Sequence, residues 1–152
     1  MPYAKPTWKE KLNKTEGLPK IVEMNSDCAK RWGGKTGDKM VIVRPIEVDE
    51  EIRKIPIGKI KTTNEIRDAL TKKHKVQATC PLTTGIFLRI AAEAAEDDRK
   101  NGIKNITPWW RVVREKNELS DKLPGYSKLQ KELLESEGHK VIQKGRKFFV
   151  VD

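Results

Sequence analysis

The sequence is poor in the residues that usually announce chemistry. It has two cysteines, Cys28 and Cys80, and two histidines, His74 and His139. These four share no ligand spacing, so a zinc motif of clustered Cys and His is excluded and neither a metal nor a cofactor is expected. The cysteines lie far apart and are expected as free thiols. No glycine-rich phosphate loop is present, and Gly33-Gly34 reads as a turn. No apolar run approaches the roughly 20 residues needed to cross a bilayer. Met1-Pro2-Tyr3-Ala4-Lys5-Pro6 has no apolar core of the signal-peptide kind, so a cytoplasmic setting without membrane association is expected. Internal repeats and low-complexity tracts are missing as well.

What the chain does have is positive charge. Thirty-two basic residues stand against 22 acidic ones, a net charge of +10 over 152 residues. The acids gather at Asp49, Glu50 and Glu51 and again at Glu93, Glu96, Asp97 and Asp98, while the basic excess lies in 111–116 and 139–147. Such cations neutralise phosphates and give nucleic-acid affinity that falls with salt, although a solvated basic surface has the same composition. The length suits one ordinary domain with an accessory arm.

The arm is assigned to residues 1–44 and the main domain to 45–152. Trp8 and Leu12 predict one short helical segment. Ser26 to Trp32 predicts another, ended by Gly33-Gly34. Met40 to Val43 reads as a strand that Pro45 breaks, and Val48 to Ile55 as a helix with acids in its first turn. Thr62-Thr63-Asn64-Glu65 fits a capping box, followed by Ile66, Ala69 and Leu70 at helical spacing. Pro81 opens a long helix running to Lys100, with Ile86, Phe87, Ile90, Ala91, Ala94 and Ala95 read as its apolar stripe. Two helices with a short link predict a helix-turn-helix, whose second helix presents its N-terminal residues to a duplex; an ordinary pair of core helices fits the same pattern. Residues 103–125 look irregular. Tyr126 to Glu137 reads as a helix with Leu129, Leu133 and Leu134 inward. Val141-Ile142 and Phe148 to Val151 form a β-hairpin about Lys144-Gly145.

Nucleophilic catalysis needs an activated thiol or hydroxyl with a base in reach. Cys80, at a predicted helix start where the dipole lowers a thiol pKa, is the one candidate; a small buried packing residue is the alternative. Trp109-Trp110 is unusual in an irregular segment. An indole there can stack on an extruded base or plug the core.

Residues from about Ile55 to His139 resemble the DNA-binding domain of the O6-alkylguanine-DNA alkyltransferases. Pro108-Trp109-Trp110-Arg111-Val112-Val113 is similar to the family's Pro-Cys-His-Arg-Val-Val. Leu133-Leu134-Glu135-Ser136-Glu137-Gly138-His139 is similar to its Leu-Leu…Glu-Gly block, and Ile55-Pro56-Ile57-Gly58-Lys59-Ile60-Lys61-Thr62-Thr63 to its Pro-x-Gly-x-Val-x-Thr-Tyr-Gly opening. Leu123-Pro124-Gly125 fits the family's loop before the last helix.

The resemblance implies an α+β fold: a winged helix-turn-helix-like DNA-binding domain with an N-terminal arm and a C-terminal β-hairpin. It also implies what is missing. The nucleophile position holds Trp109 and the base position Trp110. Indole is neither nucleophile nor base, so no catalytic residue is assigned and alkyl transfer at this position is excluded. Glu137 remains of the relay, and Asn101 falls where the family has its structural asparagine. Alkyltransferase-like proteins carry this kind of loss and bind alkylated guanine without repairing it. The implied former pocket is Pro108, Trp109, Trp110, Arg111, Glu137 and Asn101. The implied DNA contacts are Thr63, Thr83, Thr84, Gly85 and Arg89, with Lys59, Lys61 and Lys72 on phosphates. Thr63 stands where the family has its base-flipping tyrosine. The wedge arginine aligns to Gly85 or, on the other anchor, to Ala92. The expected partners are double-stranded DNA, with O6-alkylguanine as the implied lesion, and a repair protein. Two other functions remain open to the sequence: an enzyme with its chemistry moved to Cys80, and a protein-interaction module using the arm and the acids at 93–98.

Overall fold

The computed structural model describes residues 5–125 and 127–151. Tyr126, expected at the start of the last helix, and the N-terminal Met1 to Ala4 lie outside them. The fold is α+β, as expected. In chain order it runs α1 (Trp8–Leu12), β1 (Lys20–Glu23), α2 (Ser26–Trp32), β2 (Lys39–Ile42), α3 (Pro45–Arg53), β3 (Lys61–Thr62), α4 (Thr63–His74), β4 (Ala78–Thr79) and α5 (Pro81–Lys100). A 3-10 turn at Trp109–Arg111 leads to β5 (Val112–Val113). A second at Glu115–Asn117 precedes α6 (Lys128–Ser136), β6 (Val141–Lys144) and β7 (Lys147–Val150).

The helix ends follow from local chemistry. Thr7 and Asn25 cap α1 and α2 by accepting from Glu10 and Cys28 backbone N–H groups. The capping box is realised: Thr62 Oγ1 accepts from Glu65 N, and Glu65 accepts from Thr62 N, both at 3.2 Å. Pro45 does not end a strand and leave a gap; it is the first residue of α3, which therefore starts three residues before the expected Val48. β1 had no clear sequence signal, because its burial does not alternate and Ile21 is exposed.

Three small sheets hold the elements. β1 pairs antiparallel with β2, and β2 pairs parallel with β4, the strand inside the link between α4 and α5. β3 pairs parallel with β5, and β6 pairs with β7 as the predicted hairpin. The core lies between α3, α4 and α5, with α1 packed on α5. Val41 and Val43, on one side of the boundary expected after residue 44, and Val48 and Ile52 on the other are all fully buried in this core. The stripe on α5 differs from expectation. Leu88 and Ala92 face inward with Ile90, Ala91, Ala94 and Ala95, whereas Ile86 is exposed. On α6, Gln130 and Leu134 are the buried residues, with Leu129 and Leu133 only partly covered.

Candidate nucleic-acid interface

Both tryptophans of the 3-10 turn are inside. Trp109 is fully buried and Trp110 nearly so, and their rings meet edge to face at 6.1 Å. Buried indole N–H groups need acceptors. Trp109 Nε1 donates to Glu96 on α5, and Trp110 Nε1 to Glu137 at the end of α6, each at 2.9 Å. Each carboxylate also holds an arginine: Arg99 on Glu96 at 3.1 Å and Arg111 on Glu137 at 2.8 Å. Both guanidinium groups stack on Trp110, at 5.5 and 5.6 Å. A 3-10 turn, unlike a strand, lets two consecutive side chains point into the same interior.

Glu137 is the hub of this cluster. Burial works against its charge, but hydrogen bonds from Arg111 and Trp110 outweigh that and hold its carboxyl below the usual range. The backbone of Gly58 adds a further bond, delivered by a turn residue at φ +85°, where a side chain is strained. Arg111 also donates to Ile55 O at 2.7 Å. The Pro56–Gly58 turn, the Trp109–Arg111 turn and the end of α6 are thus tied at one point. Pro108 is buried beside them. Asn101 is not part of the network: it is exposed and caps the far end of α5.

Fully buried Gln130 performs a similar task about two turns earlier on α6. Its amide donates to Trp110 O and Val112 O, and its carbonyl accepts from Ser120 N. Leu119 N donates to Phe148 O, so the hairpin braces the same loop from outside. Thr107 donates to Asp49 on α3, which anchors the approach to the turn.

These ties shape a groove of about 800 Å³ between the N-terminal halves of α4 and α5 and the 112–123 segment. Thr63, Thr84, Gly85 and Arg89 line it, together with Val112 and Val113; neither indole does. Among the predicted contacts, Thr84 is buried and turns its hydroxyl back to Cys80 O at 2.7 Å, so it helps build the helix start. Thr83 is half-buried, with its hydroxyl 3.5 Å from the same carbonyl. Lys59, Lys61 and Lys72 are not on the groove; Lys59 and Lys72 are exposed elsewhere and Lys61 is half-buried on β3. The groove's cations are Lys11, Arg67, Arg89, Arg114 and Lys122, against the single acid Asp121. Of these, Arg89 was expected as an individual contact, and Arg114 lies within the basic run at 111–116. Arg67 was detectable as the residue one helical turn beyond Thr63; Arg114 and Lys122 sit in a loop with no periodic signal.

The electrostatic asymmetry extends beyond the groove. Glu47, Asp49, Glu51 and Glu96 are buried, whereas Arg111 is the one buried Lys or Arg among the described residues. The acidic run at 93–98 is not an open patch. Glu96 serves Trp109 and Arg99, Asp98 takes Lys9 at 2.8 Å, and Glu93 lies 3.9 Å from Arg89. Cys80 is buried among Met24 and Met40, with Cys28 packed against them, and lies off the groove. No described group of histidine, cysteine and carboxylate side chains is arranged to hold a metal, and no described helix is long and apolar enough to cross a membrane.

The fold is similar to that of S. pombe ATL. That protein, solved in complex with DNA, aligns with a TM-score of 0.51 and 19% identity, over 71% of this chain and 87% of its own. A second structure, S. pombe Atl1 in complex with damaged DNA containing O6-carboxymethylguanine, aligns with a TM-score of 0.48, 19% identity and the same coverage. No family model and no curated protein matches the chain. The structural likeness agrees with the fold that the Pro108–Val113 motif implied.

Proposed function

We propose that this chain binds double-stranded DNA without modifying it, as a non-catalytic alkyltransferase-like protein. The observation that carries the reading is the cation-lined groove on the α4–α5 helix pair, in a fold shared with a protein solved on DNA. Five cations against one acid give phosphate affinity, and the N-terminal half of α5 supplies the surface that meets the bases. Thr63, Gly85 and Arg89 are the assigned base-side contacts, with Thr83 beside them and Thr84 as their support; Lys59, Lys61 and Lys72 reach phosphates beyond the groove. Trp109 and Trp110 fill the former active-site region as core residues and leave no nucleophile there. A volume of about 800 Å³ beside Thr63 favours the sharper reading, that an alkylated guanine is accommodated. A protein that holds a lesion without removing it needs a second protein to complete repair. The function carries a cytoplasmic setting, in which Cys28 and Cys80 stay reduced.

The test is a titration of matched duplexes with and without O6-methylguanine at two salt concentrations, followed by intact-mass measurement of the protein. Salt-sensitive binding to both duplexes with unchanged mass is expected, and tighter binding to the modified duplex identifies lesion recognition. Absence of binding at low salt, or a stable gain of one methyl group, overturns the proposal.

A further inference from the structure

Two large aliphatic side chains on α5 are left largely open to solvent. Leu82 is 64% exposed and Ile86 50% exposed, and both line the groove. At i and i+4 they stack on one face of the helix. Gly85 lies between them, and a Cβ placed there would meet open space, so the two aliphatic groups project from bare backbone. Arg89 follows one turn later on the same face, its guanidinium 5.7 Å from the Trp8 ring. The cations Arg67, Arg114 and Lys122 line the same groove.

An apolar pair in a groove lined with cations matches the layout of a duplex. Phosphates lie at its edges and apolar base faces are stacked within. A lipid or protein surface offers apolar contact without that spacing of negative charge around it. Proteins that enter the minor groove insert leucine or isoleucine between base steps and unstack them. We propose that Leu82 and Ile86 form an apolar wedge that enters a duplex held in this groove and unstacks one base step. The inference rests on the DNA-binding reading above. It assigns the unstacking role to two aliphatic side chains, with Arg89 beside them on the same face of α5.

The test uses the full chain, a Leu82→Ala/Ile86→Ala double variant and an Arg67→Gln/Arg114→Gln rim variant. Duplexes carry 2-aminopurine at the central step to report unstacking, and binding is followed separately by anisotropy of an end label. The parent protein is expected to bind and to raise 2-aminopurine fluorescence severalfold. The double variant, altered only at exposed positions, is expected to bind with affinity reduced by about tenfold, since lost burial is offset by unstacking no longer incurred, and to give no fluorescence rise at saturation. The rim variant is expected to bind more weakly yet give the full rise when saturated. If the parent binds without a rise, or the double variant gives the same rise, the wedge is refuted while DNA binding stands. If the parent fails to bind at low salt, both are refuted.

Discussion

Replacing Trp109 with phenylalanine separates its packing role from any contact with DNA. The side chain is fully buried and its N–H reaches Glu96 at 2.9 Å. Truncation to alanine at such a site costs about 3–5 kcal/mol. Phenylalanine keeps the six-membered ring, so the residual cavity is smaller, but it strips one donor from a buried carboxylate. Glu96 still holds Arg99 at 3.1 Å, which limits the penalty. Cavity and lost donor together come to about 2 kcal/mol. In a chain of this size that lowers Tm by roughly 4–8 °C. Circular-dichroism melts and urea titrations measure it. Trp110→Phe serves as the companion, with a smaller cost of about 1 kcal/mol, because Glu137 retains its two-pronged bond from Arg111. Duplex affinity should remain within about twofold for both, since neither indole lines the groove. An unchanged Tm combined with tenfold weaker DNA binding by Trp109→Phe would falsify this placement and make Trp109 a base-stacking residue.

Stability should also depend on Glu47. Burial opposes its charge, yet bonds from Lys73, the Arg44 backbone and His74 lower its pKa from 4.5 to about 2. Its contribution is therefore complete above about pH 5 and is lost as pH falls through 2, a total of roughly 3 kcal/mol; urea titrations from pH 6 to 2 should show this decline, and Glu47→Gln should flatten it. An unaltered decline in that variant rules out Glu47 as the source. Gly85→Ala should raise stability by about 0.5–1 kcal/mol, because glycine is a poor helix residue, while weakening duplex binding by filling the groove floor; tighter or equal binding in an anisotropy titration counts against close approach there. Arg67→Gln and Arg114→Gln should each reduce the slope of log affinity against log salt by about 1, with similar losses on unrelated sequences; an unchanged slope removes them from the phosphate contacts.

The parts of this fold that could be read from sequence are those set by short-range chemistry. The Thr62–Glu65 capping box, Pro81 at a helix start and Gly33 after α2 each satisfy a backbone need within a few residues. The Pro108–Val113 and Leu133–His139 segments, singled out in the sequence, meet in the fold through the Arg111–Glu137 ion pair. What escaped was set by tertiary neighbours. Ile86 fits a helical stripe as well as Leu88 does, and only the position of α3 and α1 against α5 decides which is covered. β5 is two residues long and exists because β3 lies beside it. Lys59, Lys61 and Lys72 looked suitable by charge alone, whereas the groove is edged by Arg114 and Lys122 from a loop shaped by Gln130 and the hairpin.

The two tryptophans and the basic groove are linked by one requirement. A buried indole brings an N–H that must find an acceptor. Neutral acceptors would have sufficed, but the chain supplies carboxylates, and a buried carboxylate in turn needs a cation or further donors. Glu96 with Arg99, and Glu137 with Arg111, meet both needs in two parallel sets. Each set takes an acid away from the surface, as do Glu47, Asp49 and Glu51 on α3. The groove then faces solvent with Lys11, Arg67, Arg89, Arg114 and Lys122 opposed only by Asp121. Filling the interior and leaving the outside basic are therefore parts of the same arrangement. Exchanging Glu96 and Glu137 for glutamine together should disturb the indole packing while leaving the groove's own charges in place, so a loss of stability without a change in salt dependence is the expected signature.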